Sequence, residues 1–175
     1  MAGNTVNGIP RVDPCARRGV LKRAAQWLAA TKGGVAVTKL VVVPIDALLL
    51  KATGARISVT MGGAPVVVLV STGARTGLRR ETPLQYFTDG DEVILAASNF
   101  GGGKHPAWLY NLLATPECEL RAGSGGGRFL AREVENGDRE RLFELAIKLY
   151  PGYVKYAGRT EGVRTIRMLR LVPIS

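Results

Sequence analysis

Val66-Val67-Val68-Leu69-Val70-Ser71-Thr72-Gly73-Ala74-Arg75-Thr76-Gly77-Leu78-Arg79-Arg80 begins as an unbroken β-branched run and ends in a basic, glycine-punctuated turn. The apolar run at 66–70 predicts a strand buried on both faces. A second strand composition runs from Arg79 to Phe87, and a third from Glu92 to Ala97. Between them stands Thr88-Asp89-Gly90-Asp91, and Asp-Gly accepts the positive φ angles of a two-residue hairpin turn.

Toward the C-terminus the grammar alternates. His105 to Thr115 predicts a helix, with Pro106 in its first turn, Trp108, Leu109, Leu112 and Leu113 on one apolar face, and Pro116 closing it. Glu117–Ala122 and Arg128–Val134 predict a strand pair joined by Gly123-Ser124-Gly125-Gly126-Gly127, which reads as a flexible tip. Asp138 to Tyr150 predicts another helix, broken by Pro151-Gly152, and Arg164 to Val172 a last strand. About six antiparallel strands with short flanking helices fit a mainly β fold, a closed or partly closed barrel.

Toward the N-terminus, residues 1–15 hold Gly3, Gly8, Pro10 and Pro14 and read as a disordered start. Helical stretches are expected at 17–30 and 44–52. The chain divides into residues 1–55, a tail and helical extension, and 56–175, the barrel. The net charge of +10 is concentrated ahead of the barrel: up to residue 60, nine Lys and Arg stand against Asp13 and Asp46. Such a segment suits an acidic ligand, anionic lipid or nucleic acid. Aromatics are 6% of the chain and do not interleave with the basic run, so a specific nucleic-acid platform is disfavoured. The 35–50 stretch is interrupted by Lys39, Pro44 and Asp46, too short and too polar to span a bilayer; it reads as a helix packed on the barrel, or as a peripheral helix lying on a membrane surface. Arg17-Arg18 looks like an export signal, but the apolar run behind it is short; a cytoplasmic location, peripheral to the inner membrane face, is the expectation.

A lone His105 and two unpatterned cysteines, Cys15 and Cys118, leave no expected metal site and few of the parts of hydrolytic catalysis. Three constellations remain. The 71–80 turn can aim backbone N–H groups at an anion, with Arg75 and Arg80 adding charge and Thr76 a hydroxyl. The run Ala97-Ser98-Asn99-Phe100-Gly101-Gly102-Gly103-Lys104-His105-Pro106-Ala107-Trp108 carries a strand end through glycines into a helix N-terminus, a second anion-binding place. Ser98 and its backbone can read the edge of a flat ring. Trp108 is either a wall for that ring or ordinary core, and His105 either a helix cap or an acid. Tyr150, Tyr153 and Tyr156 recur at a helical spacing and either wall a pocket or pack on the barrel.

Together these motifs resemble the deazaflavin-dependent nitroreductase family, whose members use coenzyme F420, an 8-hydroxy-5-deazaflavin. The resemblance runs from about Pro44 to the C-terminus and rests on Thr72 to Leu84, on Ala97 to Trp108, and on Asn111 with Ala114-Thr115-Pro116. It implies a split β-barrel of the FMN-binding-like kind. It implies that Thr72, Gly73, Arg75, Thr76, Gly77, Arg80 and Lys104 form the grip on the cofactor's phosphate and acidic tail. Ala97, Ser98 and Asn99 would meet the ring, and Pro83, Leu84, His105, Pro106, Trp108 and Asn111 would shape its pocket. Ser98, Tyr150, Tyr153 and Tyr156 would line the reacting side. The implied activity is hydride transfer from reduced F420 to a quinone or nitroaromatic acceptor, with a homodimer expected from the fold. The chain departs from the family at Ala74, where a basic residue is common, in the longer 123–127 tip, and in lacking an Arg-x-Ile-Pro pattern after Glu161. Competing readings on the same barrel are a non-catalytic F420 carrier and an FMN- or haem-binding relative.

Overall fold

A computed structural model describes residues 3–16 and 65–175. The helices expected at 17–30 and 44–52, the Arg17-Arg18 motif and the 55/56 boundary lie outside the described residues.

The chain starts with a small hairpin, β1 (Thr5–Val6) and β2 (Ile9–Pro10). Seven further strands form one antiparallel sheet: β3 (Val66–Thr72), β4 (Arg79–Gln85), β5 (Phe87–Asp89), β6 (Glu92–Ala96), β7 (Glu117–Ala122), β8 (Gly125–Glu133) and β9 (Met168–Ile174). Helix α1 (Ala107–Ala114) lies between β6 and β7, and α2 (Asn136–Leu149) and α3 (Gly152–Thr160) lie between β8 and β9. The order across the sheet is β4-β3-β7-β8-β9-β6-β5. β4 and β5 are therefore the two edges, yet only Tyr86 separates them in sequence. One stretch of chain steps from edge to edge, so the sheet must curl, and no described ladder closes it: the barrel is split. Pro83, which has no N–H to offer, is tolerated because β4 is an edge.

Curling gives the sheet two faces and two cores. Val67, Leu69, Val93, Leu95, Leu120, Phe129 and Leu171 point inward with Trp108, Leu109 and Leu112 of α1. Phe87, Ile94 and Met168 point outward and are covered by Leu142, Ala146 and Leu149 of α2 and by the three tyrosines. Buried on both faces are β6, whose Val93, Ile94 and Leu95 are each wholly inaccessible, and the start of its neighbour β9, at Met168 and Leu169. The 66–70 run, expected in that role, fills it only in part: Val67 and Leu69 are buried on one face and Val70 on the other, while Val66 and Val68 beside Val70 are half-buried.

Two further expectations are corrected. Residues 3–16, within the expected disordered start, include an ordered hairpin. Asn7 (φ 47°) and Gly8 (φ 81°) make a tight Asn-Gly turn that delivers Val6 and Ile9 into the inner core. The Asn7 amide donates to the Arg128 carbonyl at 2.8 Å, and Arg11 donates to Gly90 O at 2.6 Å and pairs with Asp91. The glycines at 125–127 are not a loose tip but the first residues of β8, paired with β7. The hairpin lies against them: a Cβ on Gly125 would stand 2.1 Å from Gly8 O, and one on Gly127 2.5 Å from the Asn7 side chain. They are glycines because another backbone occupies the side-chain space.

Candidate active site

The turn after β3 is built from within. Gly73 N–H donates to Leu78 O at 2.8 Å, Gly77 N–H to Gly73 O at 2.8 Å, and Gly77 takes φ 66°. Asn111 of α1 holds it from behind. Its side-chain oxygen accepts from Ala74 N–H at 3.0 Å and its amide donates to the buried Ser71 hydroxyl at 3.4 Å. Gly73 is required, since a Cβ there would meet the Thr76 hydroxyl at 2.8 Å. Arg80 reaches back to that hydroxyl at 3.4 Å. Thr72, Arg75, Thr76 and Arg80 are exposed. Neighbouring cations behave differently: Arg79 and Arg121 are matched to Glu81 and Glu119. Among the described residues no carboxylate pairs with Arg75, Arg80 or Lys104. Exposed cations left without acids beside a rigid turn fit a phosphate-bearing, acidic cofactor. Pro83 and Leu84 lie further along β4, half-buried, paired with Val68 and Val67.

The turn after β6 is more contorted. Asn99, Phe100 and Gly101 all have positive φ (48°, 55° and 74°), two of them with side chains that disfavour it. Asn99 steadies the turn by donating to Lys104 O at 2.9 Å. The main fastening comes from a residue outside the three sequence constellations, Arg164. Its guanidinium donates to Gly102 O at 2.9 Å, Ala97 O at 3.1 Å and Ser98 O at 2.7 Å, and lies 3.3 Å from His105 Nδ1. The sequence pattern has Arg164 opening the last strand, but it lies four residues before β9; its only local signal is an Arg-x-Ile pattern with Arg167 in place of proline. Arg167 instead pairs with Glu133.

An arginine can only donate, so His105 Nδ1 accepts and the proton sits on Nε2. Burial, then Arg164 and Arg167, hold the imidazole below the usual histidine range against an opposing pull from Glu133. His105 is therefore neutral near pH 7. It is not a helix cap: Pro106 occupies that position and no side chain caps α1. Trp108, one residue into the helix, is 5% exposed in the inner core. α1 thus starts at the second turn and, through Asn111, clamps the first.

The tyrosines of the third constellation come together although Pro151 interrupts the helix. Tyr150, Tyr153 and Tyr156 are all buried, with ring centroids 5.8 to 6.0 Å apart. The Tyr150 and Tyr156 hydroxyls are 3.4 Å apart. The Ser98 side chain lowers the Tyr153 phenol slightly against the larger effect of burial, and Tyr156 meets Phe100 edge-on at 6.2 Å. Burial pushes all three phenols above their usual range, so they keep their protons and serve as donors. Arg159 stacks 5.8 Å over the Tyr156 ring and donates to Phe100 O at 3.3 Å. The second turn therefore joins the two other constellations, with Asn111 of the following helix on one side and Phe100 on the other.

The family described as F420H(2)-dependent quinone reductase matches residues 42–170 of the chain. An F420H(2)-dependent quinone reductase of Mycobacterium tuberculosis is 33% identical over 115 residues, which is 63% of this chain and 77% of that protein. Among solved structures, an F420-H2 dependent reductase superposes with a TM-score of 0.56 at 32% identity, covering 61% of this chain and 93% of the other. Another, solved as a domain-swapped dimer, gives a TM-score of 0.56 at 28% identity over 73% of this chain and 98% of the other.

Proposed function

Because this chain belongs to the F420H(2)-dependent quinone reductase family, an F420-dependent reductase family, we propose that it passes a hydride from reduced coenzyme F420 to a quinone or nitroaromatic acceptor between the 97–105 turn and the tyrosine cluster. The observation that carries this reading is the edge-on contact at 6.2 Å between Phe100, in the turn assigned to the ring, and Tyr156, in the cluster assigned to the acceptor. It supports a meeting of the two reactants beside the phenols, of which the Tyr150 and Tyr156 hydroxyls lie 3.4 Å apart.

When bound, the deazaflavin supplies the hydride. The residues do the rest. Arg75, Thr76, Arg80 and Lys104 hold the phosphate and acidic tail, with Thr72, Gly73 and Gly77 shaping the turn that carries them. Ser98 and Asn99 meet the ring edge. Ala97 is wholly buried, with its N–H donating to Arg167 O at 2.8 Å and its carbonyl accepting from Arg164, so it supports the turn from beneath rather than touching the ring. Pro83, Leu84, Pro106 and Trp108 form apolar walls, and Asn111 acts from behind the first turn. A quinone oxygen gains negative charge as it accepts the hydride, and neutral Tyr150, Tyr153, Tyr156 or Ser98 can donate a hydrogen bond to it. His105 keeps one donor, Nε2–H.

A homodimer belongs to the same proposal, supported by the domain-swapped dimer among the similar structures. Contact with a membrane surface rests on the basic segment before residue 60 alone; among the described residues no helix is long and apolar enough to cross a bilayer.

The test is titration with oxidised and reduced F420, with FMN as control, then addition of menadione while the deazaflavin absorbance is watched. Tight F420 binding with rapid return of absorbance is expected. Binding without return in the presence of quinones and nitroaromatics would make the protein a carrier, and preference for FMN would overturn the cofactor assignment.

A further inference from the structure

Arg164 lies in the link between α3 and β9. Its own backbone is fixed, with its N–H donating to Thr160 O at 2.9 Å, while the Thr160 hydroxyl caps back onto Tyr156 O at 3.2 Å and Ala157 O at 3.1 Å. The side chain then crosses to the turn after β6 and satisfies three carbonyls and one imidazole nitrogen. Only a planar fork with five donors can do this; a lysine ammonium presents a single point. Among the described residues no carboxylate pairs with Arg164, so its charge is met by carbonyl dipoles and the neutral imidazole.

The peptide units are planar and trans. A carbonyl aimed at the guanidinium therefore turns the next residue's N–H the opposite way. Aiming Ser98 O and Gly102 O at Arg164 directs the N–H groups of Asn99 and Gly103 away from it, and among the described residues neither N–H donates to a backbone carbonyl. The positive-φ residues 99–101 would otherwise relax.

Resting on the F420 reading above, we propose that Arg164 is a positioning residue: it fastens the 97–105 turn from behind, so that the Asn99 and Gly103 N–H groups face the cofactor and His105 is locked as its neutral Nε2–H form. The charged groups around His105 are Arg164, Arg167 and Glu133, with Lys104 adjacent in the chain and the Tyr110 ring edge-on at 6.2 Å. Protonating Nδ1 would set two donors face to face and open the fork.

The chain has a single histidine, so its imidazole gives one set of NMR signals without assignment. In the cofactor-free wild type we expect the Nε2–H tautomer and a pKa below the ordinary range. In Arg164→Met we expect a tautomer mixture, a pKa moved back toward ordinary, and F420 affinity weakened by about tenfold to a hundredfold in fluorescence titration. Arg164→Lys should restore neither, because charge without the fork is insufficient. A wild-type His105 in the Nδ1–H form, or a lysine variant that recovers both readouts, would overturn the proposal, and the first of these needs no variant to fold. Wild-type protein that shows the expected imidazole but does not bind F420 would leave the clamp standing and remove its cofactor role, and the failure would then lie with the functional reading.

Discussion

The turn after β3 and the turn after β6 both leave a strand through glycines, yet they are stabilised in opposite ways. The first has one positive-φ residue, Gly77, is held by the neutral Asn111 amide, and leaves Arg75 and Arg80 outside and without acids. The second has three consecutive positive-φ residues, two of them not glycine, and is held by the half-buried cation of Arg164. Charge faces outward in one and inward in the other. A phosphate needs a grip that tolerates some movement, because Coulomb attraction falls off slowly. A ring that must present one atom to an acceptor needs a rigid edge, and strain of about 1–3 kcal/mol per such residue is acceptable where the surroundings impose it.

The comparison breaks most sharply at the first turn. Replacing Arg75 and Arg80 together by alanine should weaken F420 binding by about a hundredfold or more. The remaining affinity should depend far less on salt than the wild type's. Titrations at low and high ionic strength check both. An affinity that holds, with unchanged salt dependence, would mean that the exposed cations do not grip the cofactor.

Glycine substitutions test the second turn against the first. Gly101 has φ 74°, and a Cβ there would stand 3.0 Å from Tyr156 Cα and 3.0 Å from Arg159 Cδ. Gly77 has φ 66° with nothing within 4 Å of its would-be Cβ. Both alanine variants carry the left-handed cost of about 1–2 kcal/mol, and Gly101→Ala must also move the backbone of α3. Chemical denaturation should show Gly101→Ala destabilised by about 1 kcal/mol or more beyond Gly77→Ala. Equal losses would mean that α3 does not press on the turn.

Ser98→Ala and Tyr153→Phe should lower turnover by about tenfold while F420 affinity changes by no more than about threefold, since each removes one donor from the acceptor side. Turnover unchanged in both would separate the tyrosine cluster from the chemistry and leave it as core.

These elements differ in how far the sequence reveals them. Asp89-Gly90 announces its hairpin, and the structure pairs Asp89 with Glu92 across it. The two turns are recognisable because glycines, cations and a helix start fall within a few residues of one another. What stays hidden depends on distant contacts. Asn7-Gly8 is the same kind of dipeptide as Asp89-Gly90, though it forms its own loop with both residues at positive φ where the other hairpin turns on Gly90-Asp91, and two-residue strands among glycines and prolines give no period to detect. Gly125-Gly126-Gly127 has the composition of a linker, and only the approach of Gly8 and Asn7, more than 110 residues earlier, makes it a packed strand. Both-face burial is complete at 93–95 and only partial at 66–70 because α2 and the tyrosines cover the outer side of β6, which no local hydropathy records. Arg164 belongs to no local motif: its partners lie 59 to 67 residues upstream.

The smallest expected effect is the one most specific to the second turn. His105 has its folded pKa depressed, by burial first and then by Arg164 and Arg167. A depressed pKa means that the unfolded chain takes up a proton more readily than the folded one. The stability this group contributes is therefore complete above the unfolded value of about 6.5 and is lost as pH falls through the lower folded value. With one histidine in the chain, no other imidazole titrates in that window. Asp89, Glu119 and Glu133 are held below the ordinary carboxylate range by their arginine partners, so they withdraw their contributions only at more acid pH. Thermal melting should thus fall by about 1–3 °C between pH 7 and pH 5, and the fall should vanish in His105→Gln, which keeps a side-chain oxygen to accept from Arg164 but does not titrate. A wild-type melting temperature that is flat across that interval would mean that proton uptake at His105 leaves the fork intact. The two turns would then differ in strain alone, and not in which of them depends on a neutral partner for its cation.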